Sequence, residues 1–269
     1  MSVCAFNTLP VRVISLHPEE YDTVNKAFRN TGFTNPISRF VAVNGQERQV
    51  QLKEDGIVSI RALCEIDKMK TREAHSSIPS WGGVGCYLSH EALWREAAAS
   101  PHGLLVAEAD VSPLPDALSK ATAAFDEVIK ALGGLPEVLY IGFSFSLDSQ
   151  SFQGVTTCKR TMNRMMGTLC YYVSPVGAKL LLKRSRPVEV QVDSYMGYCF
   201  ILNPDTFRAF HMIDSVIPQK AWGTSIQTKR VEDLAGGGYE NGHNPFDKIV
   251  AFLFGCLFIL LVIRLRSIV

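Results

Sequence analysis

Two carboxylates that follow an apolar segment are the residues of this chain best suited to chemistry. Glu108 and Asp110 come after the hydrophobic run 104–107, which predicts a buried strand with both acids at its carboxyl end, where open α/β sheets bind their ligands. Because alternate residues of a strand share a face, the two side chains lie on the same side. Paired carboxylate oxygens suit Mg²⁺ or Mn²⁺ held against a diphosphate, so we expect a metal site for transfer of a sugar from a nucleotide sugar.

A structural role is the other interpretation of the same two acids. Ser112, Pro113 and Asp116 indicate that a helix begins shortly after the strand, and acidic residues in such a position often cap the next helix. The spacing of the acids alone does not decide between a helix cap and a metal site.

The segment before this strand has the pattern of a helix. It starts at Gly85 and Cys86 and contains His90 and Trp94, which are four residues apart and therefore share a face. We expect Trp94 to lie in the core. Cys86 is expected to be a small buried side chain rather than a nucleophile.

This order of motifs resembles glycosyltransferase family 25, which includes bacterial lipooligosaccharide galactosyltransferases and the collagen galactosyltransferases. The resemblance rests on Gly85-Cys86, Leu88-Ser89-His90 and Leu93-Trp94, followed by an apolar strand that ends in Glu-x-Asp. Further matching segments occur in the family's order: 11–16, 41–45, 167–182, 192–193, 217–219 and 225–226. Together they span about residues 11–227.

The resemblance implies a GT-A-like fold and an inverting reaction, in which an acceptor hydroxyl displaces the nucleotide and a carboxylate takes the hydroxyl proton. Asp193 matches the late aspartate of the family and is the candidate base, although an aspartate before Ser194 can equally cap a helix. His211 is a candidate for a further metal ligand, with a structural histidine as the alternative. The implied donor is a UDP-sugar carrying galactose or glucose, with Mn²⁺ or Mg²⁺ as the cofactor.

The resemblance and the expected topology add donor-binding candidates. Ser89 and His90 are expected near the donor, but a helical histidine hydrogen-bonded to the backbone would give the same pattern. Ser15 at the end of the first strand, and Asn44 and Gly45 after the second, are the other candidates. The implied acceptor is a hydroxyl of a glycan, a lipid-linked saccharide or a protein.

One departure from the family pattern bears directly on activity. The family usually has Glu-Asp-Asp where this chain has Glu108, Ala109 and Asp110, so the middle carboxylate is missing. This supports an alternative, a catalytically impaired, membrane-tethered scaffold or nucleotide-sugar-binding protein with a transferase fold. A nucleotide-dependent enzyme of another kind has less support, since no Gly-x-Gly-x-x-Gly follows the first strand.

Strand and helix patterns alternate through the chain. The expected strands are 11–16, 39–43, 138–143 and 168–173, and the expected helices are 22–30, 117–132 and 175–182. This alternation favours an α/β fold with a Rossmann-type, mostly parallel sheet flanked by helices. The 27 basic and 26 acidic residues give a formal charge of +1, so nucleic acid is not an expected partner. Seven cysteines without a Cys-x-x-Cys pair argue against a zinc site and a disulfide framework.

The last part of the chain has a different composition. Residues 249–263 carry no charge and are flanked by Lys248 and by Arg264 and Arg266, which favours a short hydrophobic anchor helix whose flanking cations reach the membrane surface. We therefore expect a transferase domain at 1–230, a flexible linker at 231–247 and a membrane anchor at 248–269. With no secretory signal at the start of the sequence, the catalytic domain is expected in the cytosol.

Overall fold

The computed structural model describes residues 5–68 and 76–220, all of which belong to the first of two units, residues 1–227. A short 3₁₀ helix, Phe6–Thr8, precedes the helices α1 (Pro18–Asn30), α2 (Gln49–Glu54), α3 (Ile60–Lys68), α4 (Trp81–Ala99), α5 (Ala117–Leu132), α6 (Pro175–Leu182) and α7 (Val192–Leu202). The strands are β1 (Val11–Ser15), β2 (Ile37–Val41), β3 (Leu104–Glu108), β4 (Val138–Gly142), β5 (Phe145–Ser146), β6 (Ser149–Gln150), β7 (Cys158–Thr161), β8 (Met165–Met166), β9 (Cys170–Val173) and β10 (Ala209–Met212).

An eight-stranded sheet in the order β2-β1-β3-β9-β4-β10-β7-β6 forms the centre of this unit. Neighbours are parallel in the pairs β2/β1, β1/β3 and β4/β10, and antiparallel in β3/β9, β9/β4, β10/β7 and β7/β6. The expected α/β architecture is confirmed, but the sheet is mixed rather than mostly parallel. The connection from β4 to β9 contains no described helix that would cross over, so the chain returns at the same edge and β9 is antiparallel.

The core lies on both faces of the central strands. Every residue of β4, β9 and β10 is buried, as are the first four residues of β3. On one face α5 inserts Phe125, whose ring meets that of Tyr172 edge-on at 4.9 Å between centroids. Gly133 ends α5 in the left-handed conformation (φ +66°), so the helix ends at residue 132 as predicted.

The helix α4 positions most of the candidate site. Its N-cap residue Ser80 accepts a hydrogen bond from the backbone N–H of Gly83 (3.2 Å). Most residues along α4 are buried on several sides of the helix, as expected of a helix enclosed by other elements rather than one facing water. Trp94 is fully buried, as expected.

The helices α2, α3 and α7 and the strands β5 to β8 and β10 were not among the elements expected from the sequence. The polar segment between the second strand and α4 contains α2 and α3, and α1 begins at Pro18, earlier than the predicted residue 22. Proline is well suited to the first turn of a helix, which accounts for the earlier start of α1.

Among the described residues, no helix is both long and apolar enough to span a membrane. The predicted linker at 231–247 and anchor at 248–269 lie outside the described residues, so these boundaries and the cytosolic location stay predictions.

Candidate active site

The carboxyl end of β3 carries the first candidate ligand, Glu108. Its backbone N–H donates to the carbonyl of Leu169 (2.9 Å), and its Oε1 accepts a hydrogen bond from the hydroxyl of Thr168 (2.6 Å). The same oxygen lies 3.5 Å from Nε2 of His90. Burial alone would raise the pKa of Glu108, but the His90 ring and the Thr168 hydroxyl outweigh it, so the pKa lies below its ordinary value. Glu108 is therefore held as a carboxylate.

Asp110 is less fully bonded than Glu108. Its Oδ2 accepts a hydrogen bond from Nε2 of Gln219 (2.7 Å), while its Oδ1 is buried and has no hydrogen-bond partner among the described residues. Burial, followed by the charge of Glu108, raises the pKa of Asp110 to about 6. Neither acid caps α5, whose N-cap residue is Asp116. The two carboxylates repel each other and leave one oxygen without a donor, a condition that a bound cation would relieve.

His90 connects the carboxylates to the core through one hydroxyl group. Its ring is fully buried, and its Nδ1 lies 2.9 Å from the hydroxyl of Tyr171, which also accepts a hydrogen bond from Nε1 of Trp94 (2.9 Å). Because the indole N–H can only donate, the hydroxyl proton is left for Nδ1, and we assign the proton of neutral His90 to Nε2, facing Glu108. The partner of Nδ1 is a side chain rather than the backbone, and a donor contact by His90 stays a prediction.

Cys86 lies one helical turn before His90. Its Sγ, a ring nitrogen of His90 and a carboxylate oxygen of Glu108 all lie within 4.8 Å of one another. Burial, and then the charges of Glu108, Asp193 and Asp110, raise the pKa of Cys86 well above its ordinary value. The thiol therefore keeps its proton, which agrees with the prediction that it is no nucleophile. Because all three charges affect the same thiol, Glu108, Asp193 and Asp110 lie around Cys86.

Asp193, the candidate base, lies in the first turn of α7. Its Oδ1 accepts a hydrogen bond from the backbone N–H of Ser194 (2.6 Å), and its Oδ2 accepts one from the N–H of Gly167 (3.4 Å). Gly167 has φ +83°, a left-handed conformation that favours glycine. The next residue, Thr168, donates to Glu108, so a single turn contacts both Asp193 and the strand-end carboxylate.

Ser89 and Gly45 are accounted for by packing. The hydroxyl of Ser89 donates to the carbonyl of Gly85 (2.7 Å) and accepts a hydrogen bond from the N–H of Val43 (2.8 Å). A Cβ on Gly45 would overlap the carbonyl oxygen of Trp81, and a Cβ on Gly85 would overlap that of Val43. These contacts hold the loop after β2 against α4, and a donor contact by Ser89 or Gly45 stays a prediction.

Ser15 and Asn44 lie at the same edge of the sheet as the carboxylates. Ile14 is paired in register with Glu108, which places Ser15 at the level of the end of β3. The buried hydroxyl of Ser15 accepts a hydrogen bond from Nε of Arg39 (3.0 Å). Oδ1 of Asn44 accepts hydrogen bonds from two backbone N–H groups that follow it (3.2 and 3.3 Å). Both side chains therefore have structural partners, and their roles toward a donor stay predictions.

His211 is not brought to the carboxylates. It lies on β10, three strand spacings from β3 and hence about 14 Å away across the sheet. Its Nδ1 lies 2.9 Å from the hydroxyl of Thr161, and its ring meets that of Phe143 edge-on at 5.6 Å. Burial, with a smaller effect of Lys159, lowers the pKa of His211 to about 4. These contacts support the structural alternative, while nothing in the site geometry supports the predicted role as a metal ligand.

The sequence did not reveal three side chains that contact the candidate site. Thr168 bonds Glu108, Gln219 bonds Asp110 and Tyr171 bonds His90. Each lies at least 60 residues from its partner, so no local spacing could have indicated the contact. The segments that contain them were noted because they match the family in order and, for 168–173, as an expected strand.

The described residues thus form a mixed α/β enzyme fold with acids grouped at the carboxyl end of a central strand. A family model described as glycosyltransferase family 25 (LPS biosynthesis protein) matches residues 9–196. This chain belongs to glycosyltransferase family 25 and is a transferase. No curated protein matches it. Among solved structures, the inositol-1-phosphate CTP transferase from T. maritima is 9% identical, with 87% of this chain and 99% of that chain covered and a TM-score of 0.31. So low a score supports no conclusion about function.

Proposed function

We propose that this protein is a metal-dependent, inverting glycosyltransferase that moves a hexose, galactose or glucose, from a UDP-sugar to an acceptor hydroxyl. The acceptor class is a glycan, a lipid-linked saccharide or a protein. The observation that carries the proposal is the buried Oδ1 of Asp110, which has no hydrogen-bond partner among the described residues, close in sequence to the ionised Glu108 at the end of β3. The family supplies the reaction class.

The donor set suits a hard divalent cation. Glu108 and Asp110 offer carboxylate oxygens, which Mn²⁺ and Mg²⁺ prefer, and the buried Oδ1 of Asp110 lacks a donor among the described residues. A cation held by these residues would neutralise charge on the departing diphosphate. The absence of a carboxylate at Ala109 leaves both of these acids in place.

Other groups at this site would act directly on the donor and the acceptor. The Lys220 amine lies 3.4 Å from the carbonyl of Ala109, and its charge lowers the pKa of Asp110. Lys220 can therefore add positive charge beside the leaving group. Asp193 would accept the proton of the attacking hydroxyl. The turn at Gly167 and Thr168 orients both carboxylates through its hydrogen bonds.

UDP release from UDP-galactose and UDP-glucose tests the proposal. We expect release by the full chain only with Mn²⁺ or Mg²⁺, and a loss of about 100-fold or more in Asp110→Asn, because one developing-charge contact is worth about that factor. The matched control is Asp116→Asn, six residues later on an exposed ion pair with Lys120, which should behave as wild type. Equal turnover in wild type and Asp110→Asn, or equal turnover with EDTA, would contradict the proposal.

A second candidate function is favoured by Ala109 alone. If the missing carboxylate has abolished turnover, the protein is a nucleotide-sugar-binding or scaffold protein that retains the fold. Calorimetric titration with UDP and Mn²⁺ separates the two: binding of UDP without turnover of any tested UDP-sugar supports the scaffold. The predicted membrane association through 248–269 is independent of both outcomes.

A further inference from the structure

We propose that Cys86, His90 and Glu108 form a binding site for a soft divalent cation of the Zn²⁺ type, distinct from the oxygen-only site of Glu108 and Asp110. Its ligands would be Sγ of Cys86, Nε2 of His90 and Oε1 of Glu108. The site rests on geometry alone, and only its effect on turnover rests on the proposed function. Cysteine spacing in the sequence gave no sign of it because its ligands come from α4 and the end of β3.

The distances fit such a cation. All three ligand atoms lie within 4.8 Å of one another, and Nε2 of His90 is 3.5 Å from Oε1 of Glu108. Bonds of about 2.1 Å in a tetrahedral arrangement separate neighbouring ligand atoms by about 3.4 Å. The histidine and carboxylate atoms already have this separation, and Cys86 needs a shift of about 1 Å or less.

An independent observation points to a ligand at the same place. The ring of His90 is fully buried, and its Nε2 has no aligned hydrogen bond among the described residues although it faces Glu108. A buried polar atom without an aligned hydrogen bond is destabilising. Coordination of a cation by Nε2 would remove this cost.

The surroundings of His90 supply the support that a ligating histidine needs. A histidine that binds metal through one nitrogen usually donates from the other to a fixed acceptor. Nδ1 of His90 lies 2.9 Å from the Tyr171 hydroxyl, which Trp94 holds from the other side. Cation binding would move the ring proton from Nε2 to Nδ1, which would then donate to Tyr171. The hydroxyl of Thr168 similarly holds Oε1 of Glu108.

The ligand types select the cation. A thiolate, an imidazole and a carboxylate favour Zn²⁺ or Co²⁺, whereas Mg²⁺ and Mn²⁺ prefer oxygen ligands. On binding, the Cys86 thiol would lose its proton to solvent and the cation would take its place. Because Glu108 is shared, an occupied Cys86 site would withdraw this carboxylate from the donor-binding cation. Zn²⁺ would therefore act as an inhibitor of the transferase.

Cobalt spectroscopy tests the site without reference to activity. The full chain, freed of metal by a chelator, is titrated with Co²⁺, and we expect a thiolate-to-cobalt absorption band that saturates at about one Co²⁺ per chain. Cys86→Ser should lose the band, and His90→Gln should weaken Co²⁺ binding at least tenfold. Cys158→Ser removes a buried cysteine of β7 and should keep the band. Absence of the band in wild type, or its persistence in Cys86→Ser, overturns the proposal.

Two further measurements keep the test decisive if a variant folds poorly. Far-UV circular dichroism identifies a variant that folds poorly. In that case, thermal melting of wild type and of Glu108→Gln replaces the cobalt titration. Zn²⁺ should raise the melting temperature of wild type only. An equal rise in both proteins contradicts the site. Zn²⁺ should also inhibit Mn²⁺-dependent UDP release, relative to each protein's zinc-free rate, in wild type and Cys158→Ser but not in Cys86→Ser. A cobalt band without UDP release would refute the transferase and leave the zinc site intact.

Discussion

Two carboxylates at α4 differ in how fully they are bonded: Glu91, a buried residue of the helix, and Glu108, a partly buried residue of β3 beside His90. Glu91 accepts hydrogen bonds from Nε and Nη2 of Arg186 (3.0 and 2.8 Å), from Arg95 (2.9 Å) and from the hydroxyl of Ser185 (2.8 Å). Burial alone would raise the pKa of Glu91, but the Arg186 hydrogen bonds outweigh it and lower the pKa. Glu108, by contrast, accepts one hydrogen bond from the Thr168 hydroxyl, and the imidazole of His90 lies 3.5 Å away without an aligned hydrogen bond.

The comparison separates a structural carboxylate from one available for a ligand. Glu91 has cationic partners on both oxygens, so little of its charge is left to attract a further cation. Glu108 and Asp110 interact electrostatically, no arginine of the described residues forms an ion pair with either of them, and Asp110 retains one oxygen without a donor there. The number of donors for each carboxylate, rather than burial, therefore indicates where a metal can bind.

The largest expected effect is on turnover in Glu108→Gln. The variant keeps an oxygen for the Thr168 hydroxyl but removes the charge, so UDP release should fall by about 100- to 1000-fold, or about 3–4 kcal/mol in the activation free energy. The loss of unfolding free energy should stay within about 1.5 kcal/mol, because one neutral hydrogen bond is retained. Steady-state kinetics and urea unfolding measure the two quantities. A stability loss that accounts for the lost activity would remove the distinction between the two carboxylates.

The reverse outcome is expected for Glu91→Gln. Arg186 and Arg95 would lose the negative charge that they share, but both are about half exposed, so the free energy of unfolding should fall by about 2 kcal/mol, the value of hydrogen bonds to a charged group. UDP release for each folded molecule should remain within about threefold of wild type. Urea unfolding gives the stability, and initial rates at a temperature where the variant is folded give the activity. Asp116→Asn, which breaks an exposed pair, is the matched control and should leave the urea midpoint unchanged.

The sequence predicts the Glu108 and Asp110 pair better than it predicts the surroundings of His90 and Glu91. Glu108 ends β3 and Asp110 lies in the turn that follows, so the expected common strand face is not formed, but the apolar run did indicate that both acids lie at this end of the strand. The environment of His90 was not predictable in this way, since Tyr171 lies 81 residues away on β9. Antiparallel insertion of β9 between β3 and β4 determines that contact. Glu91 was not noticed at all, because its partner Arg186 is 95 residues distant.

The buried histidine of β10, His211, predicts how the stability of the fold depends on pH. His211 has its pKa lowered to about 4, so between pH 6.5 and 4 the unfolded chain binds a proton that the native fold does not. The free energy of unfolding therefore falls with pH through this window, by up to about 1.4 kcal/mol for each pH unit, because of His211. In His211→Gln that contribution is absent, so the stability gap between variant and wild type should narrow from pH 7 to pH 5 in urea unfolding.

Metal dependence gives the control for His211. The variant lacks no group of the Glu108 and Asp110 site, so the Mn²⁺ concentration that half-saturates UDP release should match that of wild type. An increase of tenfold or more would instead support the predicted role of His211 as a metal ligand.

The smallest expected effect concerns Glu127, a carboxylate whose two oxygens both accept hydrogen bonds, as those of Glu91 do. Its two oxygens accept hydrogen bonds from the backbone N–H groups of Thr156 (2.9 Å) and Thr157 (2.8 Å) and from both threonine hydroxyls. Burial opposes ionisation, but these bonds outweigh it and lower the pKa to about 2.

Glu127→Gln should therefore cost about 1–2 kcal/mol of unfolding free energy at pH 7, allowing for solvent screening of this half-buried group. A lowered pKa stabilises the native fold above the unfolded value near 4.5 and loses that contribution as pH falls toward 2. Urea midpoints of wild type and variant should thus differ at pH 7 and converge at about pH 2–3. A difference that stays constant with pH would assign the effect to packing rather than to charge, and donor number would then no longer explain why Glu127 resembles Glu91.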